Sequence, residues 1–274
     1  MRFLDQWLAA CRRNSSRLCL GLDPEPERLP APWTHDTSRL FDFCAAVVDA
    51  TADLVCAYKP QIAHFSAVGA EAQLERLIRH IRDHAPGVPV ILDAKRGDIG
   101  STARHYAREA FERYGADALT VSPFLGRDSL DPYMEAYPER GLFVLCRTSN
   151  PGSDDLQALG LRDAEQPGER LFERVARLAA GPWNHNGQLG LVTGATRPQD
   201  ILAVRAVAPE LPLLIPGVGA QGGDLEATVR AAGDRFLINA SRSVLYAAPG
   251  SHFAAAARDE AERLRDTMAE LAPL

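Results

Sequence analysis

Eight short apolar runs punctuate the chain, at positions 18–22, 54–58, 88–92, 118–121, 142–145, 189–192, 213–215 and 236–238. Each is apolar at consecutive positions and too brief for a helix, as expected of parallel strands covered by helices on their outer side. Between them, segments 38–52, 70–83, 101–114, 168–180, 198–207 and 225–232 carry apolar residues at three- and four-residue spacing, which predicts helices. A last segment, 251–270, rich in Ala, Arg and Glu, reads as a closing helix. Ser101 or Thr102 is expected to cap the helix after Asp98, with Gly115 at its C-terminal stop. Strand and helix repeated eight times predict a single-domain (β/α)8 TIM barrel over residues 1–274, a fold of about 250 residues as a rule. A doubly wound open sheet competes, because runs alone do not establish closure. Stretches 149–168 and 181–187 read as loops rather than domain linkers.

Composition narrows the function without choosing it. The 46% hydrophobic and 24% charged fractions are those of an ordinary globular chain. Thirty basic and 36 acidic side chains leave a formal charge of −6, and no run of Lys or Arg offers a footprint for nucleic acid. Five scattered cysteines include no Cys-x-x-Cys pair and read as buried, reduced thiols. No secretory leader and no stretch of bilayer length is apparent, so no membrane partner is expected and the default location is cytoplasmic. Of seven histidines, His80 and His84 stand one helical turn apart but read as surface residues, and no metal is implied.

In a barrel of this kind the active site gathers at the C-terminal strand ends, so the polar residues just beyond each run are the candidates. They are Asp23, Lys59, Asp93, Lys95, Ser149, the loop 217–223 and Arg242. Asp93 and Lys95, two apart on a strand, face the same way about 6.5 Å from one another along it. Asp98 can approach the ammonium group if the loop folds back. Two carboxylates around a lysine favour its charged form, since opposite charges about 4 Å apart attract by about 4 kcal/mol at a protein-like dielectric. That describes a positioned proton donor; the plainer alternative is a solvated ion-pair cluster. The glycines of 217–223 leave backbone amides open ahead of a helix, where a phosphate can be cradled, and Arg242 can add charge-assisted bonds. Lys59, at the end of a buried run, would be costly to desolvate without a role. Asp23 precedes Pro24, so a simple turn explains it equally well.

Val90 to Thr102, reading Val-Ile-Leu-Asp-Ala-Lys-Arg-Gly-Asp-Ile-Gly-Ser-Thr, closely resembles the signature of orotidine 5′-phosphate decarboxylases. The resemblance extends through Gly21-Leu22-Asp23, Tyr58-Lys59, Thr148 to Gly152, the 217–223 loop and Ser241-Arg242-Ser243, and its wording looks like the longer bacterial subgroup. It implies a homodimeric (β/α)8 barrel that converts orotidine 5′-monophosphate to UMP and carbon dioxide without cofactor, the last step of de novo pyrimidine synthesis. By the same resemblance Lys95 protonates C6 of the pyrimidine, while Asp93 holds that lysine and crowds the substrate carboxylate. Asp98, with Ile99 and Thr102 nearby, would serve the partner subunit's site. Asp23 and Lys59 match positions that contact the ribose hydroxyls, Ser149 the residue that reads the pyrimidine, and Gln221, Gly222 and Arg242 the phosphate grip. Ser241 departs from the glycine common before that arginine. The enzymatic rival is a sugar-phosphate decarboxylase or epimerase on the same barrel, usually assisted by magnesium; the other is a catalytically silent phosphate-binding barrel.

Overall fold

The computed structural model describes residues 1–162, 167–219 and 222–274. Its eight strands are β1 (Leu18–Leu22), β2 (Ala57–Pro60), β3 (Ile91–Arg96), β4 (Ala118–Val121), β5 (Gly141–Arg147), β6 (Leu189–Thr193), β7 (Leu213–Pro216) and β8 (Phe236–Ala240). All pair in parallel, in the order β2-β1-β8-β7-β6-β5-β4-β3. The ring closes between β2 and β3 through the parallel bridges Tyr58–Val90 and Gln61–Asp93 and the 3.0 Å bond from Tyr58 N to Pro89 O. The chain is therefore a (β/α)8 barrel, not an open sheet.

Its helices are α1 (Phe3–Asn14), α2 (Leu40–Thr51), α3 (Ile62–Ser66), α4 (Glu71–His84), α5 (Gly100–Arg108), α6 (Asp131–Ala136), α7 (Leu171–Ala180), α8 (Pro198–Val207), α9 (Leu225–Ala232), α10 (Arg242–Leu245) and α11 (Phe253–Leu271). The capping expectation needs correction: helix α5 starts at Gly100, its N-cap Ile99 makes no side-chain cap bond, and Ser101 and Thr102 lie inside it. Asp98 instead accepts from Ile99 N at 2.8 Å, because its carboxylate already stands at the turn. Gly115, with φ +65°, does occupy the left-handed position after the helical segment, where an L side chain is strained. The helical path runs on beyond α5 as a π turn, Glu109–Arg113.

Strand residues alternate between two cores, as a period of two dictates. Leu18, Leu20, Leu22, Tyr58 and Leu92 belong to the outer core beneath the helices. Cys19, Ala57, Ile91, Ala118, Phe143, Val192, Leu214 and Leu237 form the inner one, joined by Phe3, Trp7 and Cys11 of α1. Helix α1 thus plugs the lower end of the barrel, with Phe3 edge-on to Phe143 at 5.7 Å between ring centroids. Gly190 makes room for that ring: a Cβ there would stand 2.8 Å from Phe143 Cε1. All five cysteines are free and buried, as expected. No helix among the described residues is long and apolar enough to cross a membrane.

Candidate active site

The inner-facing row of four strands changes from apolar to polar as it rises. Above Ala57 comes Lys59, above Ile91 come Asp93 and Lys95, above Ala118 comes Thr120, and above Leu237 comes Asn239. These residues line a cavity of about 530 Å³ at the C-terminal ends of the strands, shared with Asp23, Ser149 and Arg242. Barrel closure is what converts sequence parity into a site.

Asp93 is its centre. Only 8% exposed, it accepts from Lys59 Nζ at 2.8 Å on one oxygen, and from Lys95 Nζ at 2.7 Å and Thr120 Oγ1 at 2.8 Å on the other. Burial by itself would raise its pKa, yet the two ammonium groups outweigh that and hold the carboxyl well below the usual range. Burial likewise disfavours charge on Lys59, which is 3% exposed, but Asp93 and then Asp23 hold its pKa above the ordinary lysine value. Asp23 Oδ1 stands 4.0 Å from Lys59 Nζ and is buried without a hydrogen-bond partner, so it keeps acceptor capacity beside the cavity. Lys95 differs from Lys59: its side chain is 47% exposed, and it reaches into the cavity from a residue with φ +46°.

That backbone conformation has a visible cause. The β3–β4 register shifts between Leu92 and Arg96, and Thr120 Oγ1 accepts from both Ala94 N (3.1 Å) and Lys95 N (3.0 Å) within the shift. One hydroxyl therefore holds the irregular turn and orients Asp93 together. Thr120 sits inside an apolar run, where a β-branched residue passes for ordinary strand filling, so sequence reasoning missed it. Asn239 was missed as well; a polar residue directly after an apolar run was the available signal.

The other expected residues divide. Ser149 lines the cavity, below a loop tied down by buried Arg147, which bonds Asp200 (2.7 Å), Ser153 (2.8 Å) and Asp154 (2.5 Å). Gly217 and Val218 line it too, whereas Gly222 does not: its N–H is spent on Gly219 O at 2.8 Å. Gln221 lies outside the described residues. Asp98 and Thr102 are also absent from the lining of this chain's own cavity. Asp98 stands next to exposed Ile99, and the loop after β4 presents exposed Phe124 and Leu125.

Comparison with known proteins agrees with this geometry. The family model described as orotidine 5′-phosphate decarboxylase / HUMPS family matches residues 16–257. A Delftia acidovorans protein named orotidine 5′-phosphate decarboxylase is 63% identical over 276 residues, covering 99% of each chain. One of the same name from Verminephrobacter eiseniae is 63% identical over 269 residues, covering 97% of each. The solved OMP decarboxylase of Leishmania donovani superposes with a TM-score of 0.84 at 40% identity, covering 99% of this chain and 98% of that one.

Proposed function

This chain belongs to the orotidine 5′-phosphate decarboxylase family and converts orotidine 5′-monophosphate to UMP and carbon dioxide in pyrimidine biosynthesis, and from that premise we propose how its residues divide the work. The observation that carries the assignment is Asp93, bonded to two ammonium groups on the cavity wall. An ionised Asp93 beside the substrate carboxylate raises the energy of the bound ground state. Breaking the carbon–carbon bond removes that carboxylate as neutral carbon dioxide and leaves an electron pair on C6. Lys95 Nζ, already in place, stabilises the developing charge and gives C6 its proton; the neutral amine then regains one from water. Lys59, bonded to Asp93 but almost fully buried, keeps Asp93 charged and positioned.

Binding energy from remote groups offsets the crowding at the carboxylate. Asp23, with its unpartnered oxygen, suits a ribose hydroxyl donor. In this reading Ser149, on the cavity lining, reads the pyrimidine, and Arg242 grips the phosphate together with the 217–223 loop, whose Gln221 and Gly222 complete the expected set. In this structure the Gly222 amide is bonded to Gly219 O, so its part in the grip requires that bond to be given up.

The active unit in this reading is a homodimer in the cytoplasm. Asp98 and Thr102, outside their own chain's cavity, serve the partner's site, and exposed Ile99 (53%), Phe124 (77%) and Leu125 (50%) supply apolar surface for the contact. The test is the loss of absorbance as orotidine monophosphate becomes UMP, run in EDTA to separate it from the magnesium-assisted rival. We expect turnover by the native chain and none by Lys95→Ala. A silent native chain, or full turnover by the variant, overturns the assignment.

A further inference from the structure

On the outer face of the barrel, away from every residue lining the reaction cavity, Asp49 of α2 meets His80 and His84 of α4. Each offers one ligand atom, and these atoms all lie within 4.8 Å of one another. We propose that these three side chains form a binding site for a borderline divalent cation such as Zn2+, clamping α2 to α4.

Three observations converge on that reading. Two imidazoles one helical turn apart and a carboxylate make an N2O donor set, which suits Zn2+ with water in the fourth position. His80 Nε2 already stands 2.7 Å from Asp49 Oδ1, whereas tetrahedral bonds of about 2.0–2.1 Å place ligand atoms about 3.3 Å apart, so a small separation admits the ion. His84 Nδ1 lies 3.0 Å from His80 O; a carbonyl only accepts, so Nδ1 carries the proton and Nε2 keeps its lone pair. The His80 and His84 rings stack at 3.8 Å between centroids, 17° from parallel, so loading the ion swings them apart until both in-plane lone pairs meet it, while His80 stands edge-on to Phe41 at 5.7 Å.

The proton count balances. His80 gives up the Nε2 proton it shares with Asp49 and takes one on Nδ1, remaining a neutral imidazole, and the cation replaces that shared proton between the two residues. The sequence offers only His80 and His84. Asp49 joins them because α2 and α4 pack side by side.

The experiment titrates the full-length chain, without a histidine tag and stripped by chelator, with Zn2+ in a non-coordinating buffer, followed by calorimetry. One equivalent per chain is expected, with a thermal midpoint that climbs with free Zn2+. Asp49→Asn and His84→Ala, both at exposed positions, should each weaken binding about tenfold or more, and the His80→Ala/His84→Ala pair should abolish it. Co2+ in place of Zn2+ should show the visible absorption of a tetrahedral N/O site in the native chain and lose it in His84→Ala. Decarboxylation by His84→Ala should stay at the native rate, so failure here is distinct from failure of the catalytic assignment. No saturable binding, or binding retained in the double variant through other histidines, overturns the proposal.

Discussion

Replacing Thr120 by valine keeps the shape of the side chain and deletes one hydroxyl. In the native chain that hydroxyl donates to Asp93 at 2.8 Å and accepts from Ala94 N and Lys95 N at 3.1 and 3.0 Å, and the residue is 2% exposed. Losing the bond to a carboxylate costs about 1.5–3 kcal/mol, and each of the two part-buried amides left without an acceptor about 1 kcal/mol more, the low end because water can reach it. Relaxation recovers part of that, since a non-glycine residue in the left-handed region costs about 1–2 kcal/mol and Lys95 at φ +46° is released from it. The net expectation is a stability loss of about 3 kcal/mol, small enough for a folded variant. Relaxing Lys95 carries its Nζ away from Asp93. If about 2.7 kcal/mol of transition-state stabilisation goes with it, kcat/KM falls about 100-fold. Urea unfolding and the absorbance assay measure the two effects. Thr120→Ser, which retains the hydroxyl, should recover most of the activity while losing only a methyl group's packing. Native kcat/KM in Thr120→Val, or equal loss in Thr120→Ser, would refute the claim that the hydroxyl sets the lysine.

Three further outcomes follow from the same geometry. Lys95→Ala and Asp98→Ala chains, each inactive alone, should regain about a quarter of native activity when mixed equally, because random exchange makes half the dimers hybrid with one intact site each; proven exchange without recovery removes Asp98 from the partner's site. Asp93 is held below its ordinary range, so its contribution to stability is complete above about pH 4 and is lost as pH falls through the lower folded value, whereas that of Lys59, held above its ordinary value, is complete below about pH 10.4 and is lost as pH rises. Asp93→Asn should therefore flatten the acid limb of urea-unfolding stability, and an unchanged slope contradicts the assignment. Arg147→Met leaves Asp200 buried without its closest cation, at a cost of about 3–5 kcal/mol, and loosens the loop over Ser149, so KM should rise more than kcat falls; an unchanged KM would show that the loop is held otherwise.

The apolar runs locate all eight strands, because parallel strands covered by helices need little else to declare themselves. Their edges are less legible. The run at 54–58 starts before β2 does: Leu54, Val55 and Cys56 are fully buried, but pairing as a strand begins at Ala57. Strand β3 goes on through its charged residues to Arg96, because Thr120 and the register shift hold it there. Helix α1 stands outside the strand–helix alternation, although Phe3, Trp7, Ala10 and Cys11 carry helical spacing. In the site, Asp93 with Lys95 is readable because both lie on one face of one strand. Thr120 is not, and neither is Asp49 in the proposed outer cluster, since each acquires its part only from a neighbour far away in sequence.

The plug of Phe3, Trp7 and Phe143 gives the molecule one-way architecture. With its floor sealed by aromatic rings, the chamber above is a blind alley for traffic. On the proposed reading, gas formed beside Asp93 departs through the mouth that admitted the nucleotide, past whatever still occupies it. Exit order is thus a property of the barrel's stopper as much as of its chemistry: until UMP makes way, carbon dioxide has to find the gaps around it.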